Sequence, residues 1–147
     1  MMAYQSEIVI NRPVKEVFEY ITTFENFPKW SETHSVKVLT NGTVGVGTRL
    51  LIEMGKGPMK SRNEFDTVEW EKDRTWAFKT VSPASSVVWD GSFDFEPVGP
   101  ASTRVRADGQ VSLKGWRRLL EPVIRGELQK GEQGELETVK RLIEGTG

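Results

Sequence analysis

The sequence predicts an α+β domain: an antiparallel sheet of about seven strands, two short helices after the first strand and one long C-terminal helix. Three observations carry this reading. A β-branched run stops at Asn11-Arg12-Pro13 and gives way to apolar residues at helical spacing. Turn signals then recur at hairpin intervals through an alternating middle, and the stretch from Glu121 to Glu144 returns to helical periodicity. The 147 residues suit one domain, residues 1–147, able to bury roughly two-thirds of its unfolded surface.

Glu7-Ile8-Val9-Ile10 reads as a strand, with Asn11 placed to cap the following helix and Pro13 to occupy its first turn. Val14, Val17, Phe18 and Ile21 fall at i, i+3, i+4 and i+7 and define its buried face, up to Thr22-Thr23. Phe24, Phe27 and Trp30 lie three apart around Pro28, which predicts a second short helix closing on the same core.

Six further strands fit between Asn41-Gly42 with Gly45 and Gly47, Gly55-Lys56-Gly57-Pro58, Lys72-Asp73, Ser82-Pro83 and Pro97-Val98-Gly99-Pro100. Within them Leu50, Ile52 and Met54 alternate with Arg49, Leu51 and Glu53. Val87, Trp89, Gly91, Phe93 and Phe95 form one apolar row, and Val105, Ala107, Gly109, Val111 and Leu113 another, each set against polar partners. The final helix, about 24 residues, spans roughly 36 Å. Its stripe runs through Leu120, Ile124, Leu128, Leu136, Val139, Leu142 and Ile143. Gly126, Gly131 and Gly134 interrupt it at up to about 1 kcal/mol each against alanine, so its middle is expected to bend or move.

Composition removes several function classes. Twenty Lys and Arg against 21 Asp and Glu give a net charge of -1, with no broad basic surface, so no nucleic-acid partner is expected. The absence of cysteine excludes disulfides, thiolate nucleophiles and cysteine-ligated metals, and the single histidine, His34, excludes a multi-histidine site. Neither a metal nor a cofactor is expected. The glycine loops lack the spacing and strand-to-helix context of dinucleotide or phosphate-binding loops. No leader-like N-terminus and no apolar run of about 18 residues occurs, which makes the cytoplasm the expected location. Arg117-Arg118 beside Trp116 fall short of the roughly four to eight clustered charges of a polybasic membrane site, so no stable membrane insertion is expected.

The segments from Ile10-Asn11-Arg12-Pro13 to Ile21, Phe24-Glu25-Asn26-Phe27-Pro28-Lys29-Trp30, Gly45-Val46-Gly47-Thr48-Arg49, Val68-Glu69-Trp70 through Phe78, and Leu119-Leu120-Glu121-Pro122 together resemble the START-like helix-grip superfamily. That group includes the polyketide cyclase/dehydrase and lipid-transport proteins. The resemblance covers nearly the whole chain and implies a curved sheet wrapped around the C-terminal helix with a cavity between them, where periodicity alone gives only a core. Carried onto this chain, it implies a lining of Leu50, Ile52, Met54, Met59, Asn63, Phe65, Phe78, Trp89, Phe93, Val111, Trp116, Leu120 and Ile124. The implied partner is a hydrophobic small molecule, lipid, polyketide or aromatic, held as by a carrier or sensor. The alternatives are a polyketide cyclase or aromatase-like enzyme and a protein-interaction domain with a vestigial cavity.

Each singled-out residue also has a plain structural role. Trp89 and Phe93 either stack on a ligand or fill a core. Asn63, on the less charged face of its strand, either orients a ligand carbonyl or hydroxyl or is turned to solvent by a bulge. His34 and Glu64 are the weak acid/base candidates, and Arg49 and Arg62 with Glu64 would serve as an oxyanion clamp or base only if they faced inward, whereas alternation points them outward. No paired carboxylates stand out at a catalytic spacing, and the glycine-rich hairpins and the 126–134 stretch are the expected gates.

Overall fold

Alternation builds the sheet as the sequence predicts. A computed structural model describes residues 1–55, 57, 60–81 and 87–145. Its strands are β1 (Met2–Ile10), β2 (Thr33–Val38), β3 (Arg49–Met54), β4 (Ser61–Glu71), β5 (Thr75–Thr80), β6 (Val87–Gly99) and β7 (Ser102–Leu113). They form one antiparallel sheet in the order β1-β7-β6-β5-β4-β3-β2. Strands β2 to β7 are thus a meander, and β1 returns from the far end to pair with β7. The helices are α1 (Val14–Thr22), a 3-10 turn (Phe24–Asn26) that leads into α2 (Phe27–Trp30), a second 3-10 turn (Gly115–Leu120) and α3 (Glu121–Glu144). This is the helix-grip architecture, with two short helices after the first strand and the long helix laid against the sheet.

The apolar rows meet in one core. Val17, Phe18 and Ile21 of α1 are buried, as the i, i+3, i+4, i+7 spacing requires. Phe24, Phe27 and Trp30 pack as an aromatic plug against Trp76 and Phe93, whose rings stack at 5.7 Å and 5°. On β6 and β7, Phe93, Phe95, Val105, Ala107, Val111 and Leu113 are buried. Gly91 and Gly109 pair directly across these strands, and Tyr4 of β1 is the partner of Gly109 on its other side. The Tyr4 ring lies over this bare backbone. A Cβ on Gly109 would collide with the ring, and one on Gly91 would stand 2.8 Å from Phe78 Cζ. Both glycines are required by close approach.

The exposed edge of β1 is closed by α3. The backbone carbonyls of Gln5, Glu7 and Val9 accept from Gln129 Nε2 (2.6 Å), Gln133 Nε2 (3.2 Å) and Lys140 Nζ (2.7 Å), and the N–H of Gln5 donates back to Gln129 Oε1 at 3.0 Å. Alternate strand residues are matched by successive turns of the helix, so the edge cannot recruit another strand.

One local expectation changes. Asn11 does not cap α1. Pro13 holds the cap position without a side-chain bond, while the Asn11 N–H donates to the Glu144 carboxylate at 2.7 Å and fastens the end of α3. The Asn11 side-chain oxygen is turned to Ser102 Oγ at 3.4 Å, and Glu144 also holds Lys140 Nζ at 2.6 Å. α3 runs as one helix from Glu121 to Glu144 across its three glycines.

Candidate functional site

A cavity of about 700 Å³ lies between the concave face of the sheet and α3. Its walls are Trp76 and Phe78 of β5, Trp89 and Phe93 of β6, Val111 of β7, Ile52 and Met54 of β3, Phe27 and Trp30 of α2, and Ile124 and Leu128 of α3. The cavity exists because the N-terminal half of α3 stands off the sheet: Ile124 and Leu128 stay half-buried where Leu136 and Val139, farther along, are closed.

Polar groups interrupt these walls. Tyr4 accepts a hydrogen bond from Trp89 Nε1 at 2.9 Å through its hydroxyl, and the two rings meet edge to face at 6.0 Å. Glu132 and Glu135 of α3 also line the cavity, with Glu32, Thr33 and Ser31 beyond α2. Glu132 is 7% exposed, and among the described residues no hydrogen bond or ion pair reaches its carboxylate. Burial pushes its carboxyl well above the usual range. Glu135 is raised further, by burial first and then by Glu132 and Glu32 beside it, although the backbone N–H of Glu32 donates to it. Tyr4 is raised as well, by burial and by the proximity of Glu132.

Of the residues implied as lining, the structure brings Ile52, Met54, Phe78, Trp89, Phe93, Val111 and Ile124 to the cavity. Leu50 and Phe65 are buried behind the wall, Phe65 edge-on to Phe78 at 5.8 Å. Asn63 is buried too, but its Nδ2 donates to the Val87 carbonyl at 2.8 Å and ties β4 to the start of β6. Leu120 is partly buried against the core and lies off the cavity wall. Trp116 is 61% exposed in the turn that follows Gly115, whose φ is +63°, and lies off the cavity wall. Met59 falls outside the described residues.

The acid/base candidates of the strands stand apart from the cavity. His34 is exposed on β2 and its Nε2 engages the Gly55 carbonyl. Glu64 is exposed and faces Arg49 at 3.7 Å. Arg49 itself grips Asp66 through two bonds, 2.7 and 3.1 Å, and Arg62 faces Glu53 at 3.8 Å. These are cross-strand ion pairs of the wet face, as alternation predicts. Among the described residues no cluster of His, Asp and Glu is arranged to hold a metal ion, and no helix is long and apolar enough to cross a membrane.

The description "Polyketide cyclase / dehydrase and lipid transport" attaches to the family whose profile matches residues 1–144. The chain belongs to that family. Its START/SRPBCC fold is shared with a START superfamily protein from Mycobacterium smegmatis, at a TM-score of 0.82 and 12% identity with both chains covered at 100%. TTHA0849 from Thermus thermophilus matches at a TM-score of 0.79 and 19% identity over 99% of each chain. The Zhui aromatase/cyclase from a Streptomyces species matches at 0.66 and 14%, over 95% of this chain and 94% of that one. A search of curated proteins gave no match.

What sequence reasoning missed in this polyketide cyclase/dehydrase and lipid-transport family member is the carboxyl pair. The signal was in the stripe of α3. Between Leu128 and Leu136, each four residues away, the inward position is Glu132. A charged residue in register with a buried stripe marks either a functional group or a hole in the packing.

Proposed function

We propose that this protein binds a hydrophobic small molecule, of lipid, polyketide or aromatic kind, in the cavity between its sheet and α3, as a carrier or sensor. The observation that supports this reading is the cavity itself: about 700 Å³, walled by aromatic and aliphatic side chains with a smaller number of polar groups among them. That is the usual make-up of a small-molecule site, where apolar walls supply affinity and a few polar groups fix orientation. Burying roughly 300 Å² of apolar ligand surface contributes on the order of 7 kcal/mol before the cost of immobilisation. Native mass spectrometry of the purified protein, followed by denaturing extraction, tests the reading. A retained apolar compound is the expected result. An empty protein that also shows no thermal shift with a panel of lipids, quinones and polyketide-like aromatics would overturn it.

A second reading, a polyketide cyclase or aromatase-like enzyme, is favoured by the Glu132, Glu135 and Tyr4 group. The walls would fold a flexible polycarbonyl chain, and a carboxyl raised toward neutrality is suited to passing protons to and from it. On this reading Glu132→Gln lowers the rate of ring closure by about 10²-fold or more, while His34→Ala and Glu64→Gln leave it unchanged. Equal turnover in Glu132→Gln and wild type would dispose of the role.

A further inference from the structure

We propose that the cavity selects a ligand bearing a protonated amine on an apolar or aromatic body, with the ammonium seated at Glu132 and Glu135. This rests on the ligand-cavity reading above and names the class of ligand. The charge inventory carries it. Among the described lining residues Glu32, Glu127, Glu132 and Glu135 are acidic and Lys130 alone is basic. Lys130, Glu127 and Glu32 are exposed, so among the described lining residues the two less exposed charged groups are both carboxyls and neither has a cation beside it.

Those two groups are poorly served by the protein. Glu132 takes no hydrogen bond or ion pair from the described residues although it is 7% exposed. Glu135 accepts from the backbone of Glu32 and faces the Glu32 carboxylate as a like charge. From β1, Tyr4 offers a hydroxyl that is already the acceptor of Trp89 Nε1, and the nearby Asp108 of β7 adds negative field to it. On β2, His34 is spent on Gly55. A cation entering this end would pair with both groups as they ionise, whereas a fatty acid or other anion would be buried with no counter-charge among the described lining residues other than the exposed Lys130. The faces of Trp30, Trp76, Trp89 and Phe93 carry the negative quadrupole that favours a cation near them.

The proton count follows. Burial holds both carboxyls toward their neutral forms in the free protein, and a bound ammonium favours their ionised forms. Amine binding therefore releases protons, and its affinity rises with pH until the amine loses its own charge near about 10.

The test uses the full chain and three matched probes: 2-(naphthalen-2-yl)ethylamine, the corresponding alcohol, and 2-naphthylacetate. Isothermal titration at pH 7 in two buffers of different ionisation enthalpy gives affinity and proton release. The expected result is an amine at least tenfold tighter than the alcohol, with the acid weakest and on the order of one proton released per amine bound. In Glu132→Gln/Glu135→Gln the amine preference falls to within about twofold while the alcohol still binds, and the outer-face control Glu137→Gln keeps it. Alcohol binding as tight as amine, acid binding tighter than either, or a preference that survives the double variant would overturn the amine assignment and leave the cavity reading standing. Failure of all three probes to bind would overturn both. Should the double variant not fold, the wild-type ranking and its proton release decide alone.

Discussion

The two halves of α3 pack on the same sheet in different ways. Beyond residue 135 the helix is a clamp: Leu136 and Val139 are 1% and 0% exposed, Ile143 is 6% exposed, and Lys140 and Glu144 fasten it to β1 and to Asn11. Before residue 132 it is a wall, with Ile124 and Leu128 only half-buried over open space and Val123 73% exposed. The difference teaches how a fold keeps a cavity. One end of the helix supplies the burial that holds it, which frees the other end to stand off the sheet without closing the hole.

The sharpest way to break this contrast is to truncate one leucine in each half. Leu136→Ala should cost about 2–5 kcal/mol, the loss of a fully packed side chain plus the void it leaves. Leu128→Ala borders a cavity that already exists, creates little new unfilled volume against a packed neighbour, and should cost less than about 1 kcal/mol. Urea unfolding of the two variants at constant m reads the difference directly. Equal losses would mean that the cavity is closed in solution and that both halves are core.

Periodicity made most of this architecture legible. The alternation of Val105, Ala107, Val111 and Leu113 and the helical spacing of Val17, Phe18 and Ile21 record which face is buried, and the structure buries those faces. The cavity was legible only through resemblance, since Phe93 and Phe65 have the same pattern in sequence yet one lines the space and the other lies behind it. Such a distinction depends on how far a helix stands from a sheet, which no local pattern encodes. Asn63 and Asn11 make contacts that no local pattern records. Each short polar side chain or backbone group found a partner distant in sequence, the Val87 carbonyl 24 residues away and Glu144 133 residues away, where local reasoning offered a ligand or a cap. Glu132 was hidden because a stripe is recognised by its apolar members, and the informative position was the one that broke it.

That break gives the second test, smaller and dependent on pH. With its native pKa raised above the unfolded value, Glu132 binds more protons folded than unfolded, so stability falls as pH rises from about 4.3, the unfolded carboxylate range, and levels off only above the raised native value. Glu132→Gln keeps the shape and removes the titration. It should match wild type near pH 4 and exceed it by about 1–3 kcal/mol at pH 8, measured by urea unfolding across that range. A variant less stable than wild type at pH 8 would mean that Glu132 is ionised and partnered in the folded protein, and would undo both the burial argument and the need for an external cation.

The smallest effect sharpens the boundary between wall and clamp. Gly126 and Gly131 lie in the wall half, and a Cβ on either would meet no atom within 4 Å. Neither glycine is needed for close approach or for a positive φ, so alanine should raise helix stability by up to about 1 kcal/mol at each site with no steric cost. The two sites differ in one respect, for Gly131 lines the cavity and Gly126 does not. If the wall must loosen to admit a ligand, Gly131→Ala should slow ligand exchange as well as raise Tm, whereas Gly126→Ala should raise Tm to a similar degree with a smaller effect on exchange. Thermal unfolding and stopped-flow release of a bound fluorescent probe separate these outcomes. Unchanged exchange in both variants would place the route into the cavity elsewhere, and would leave these glycines as helix positions where the open space beside them makes a side chain unnecessary.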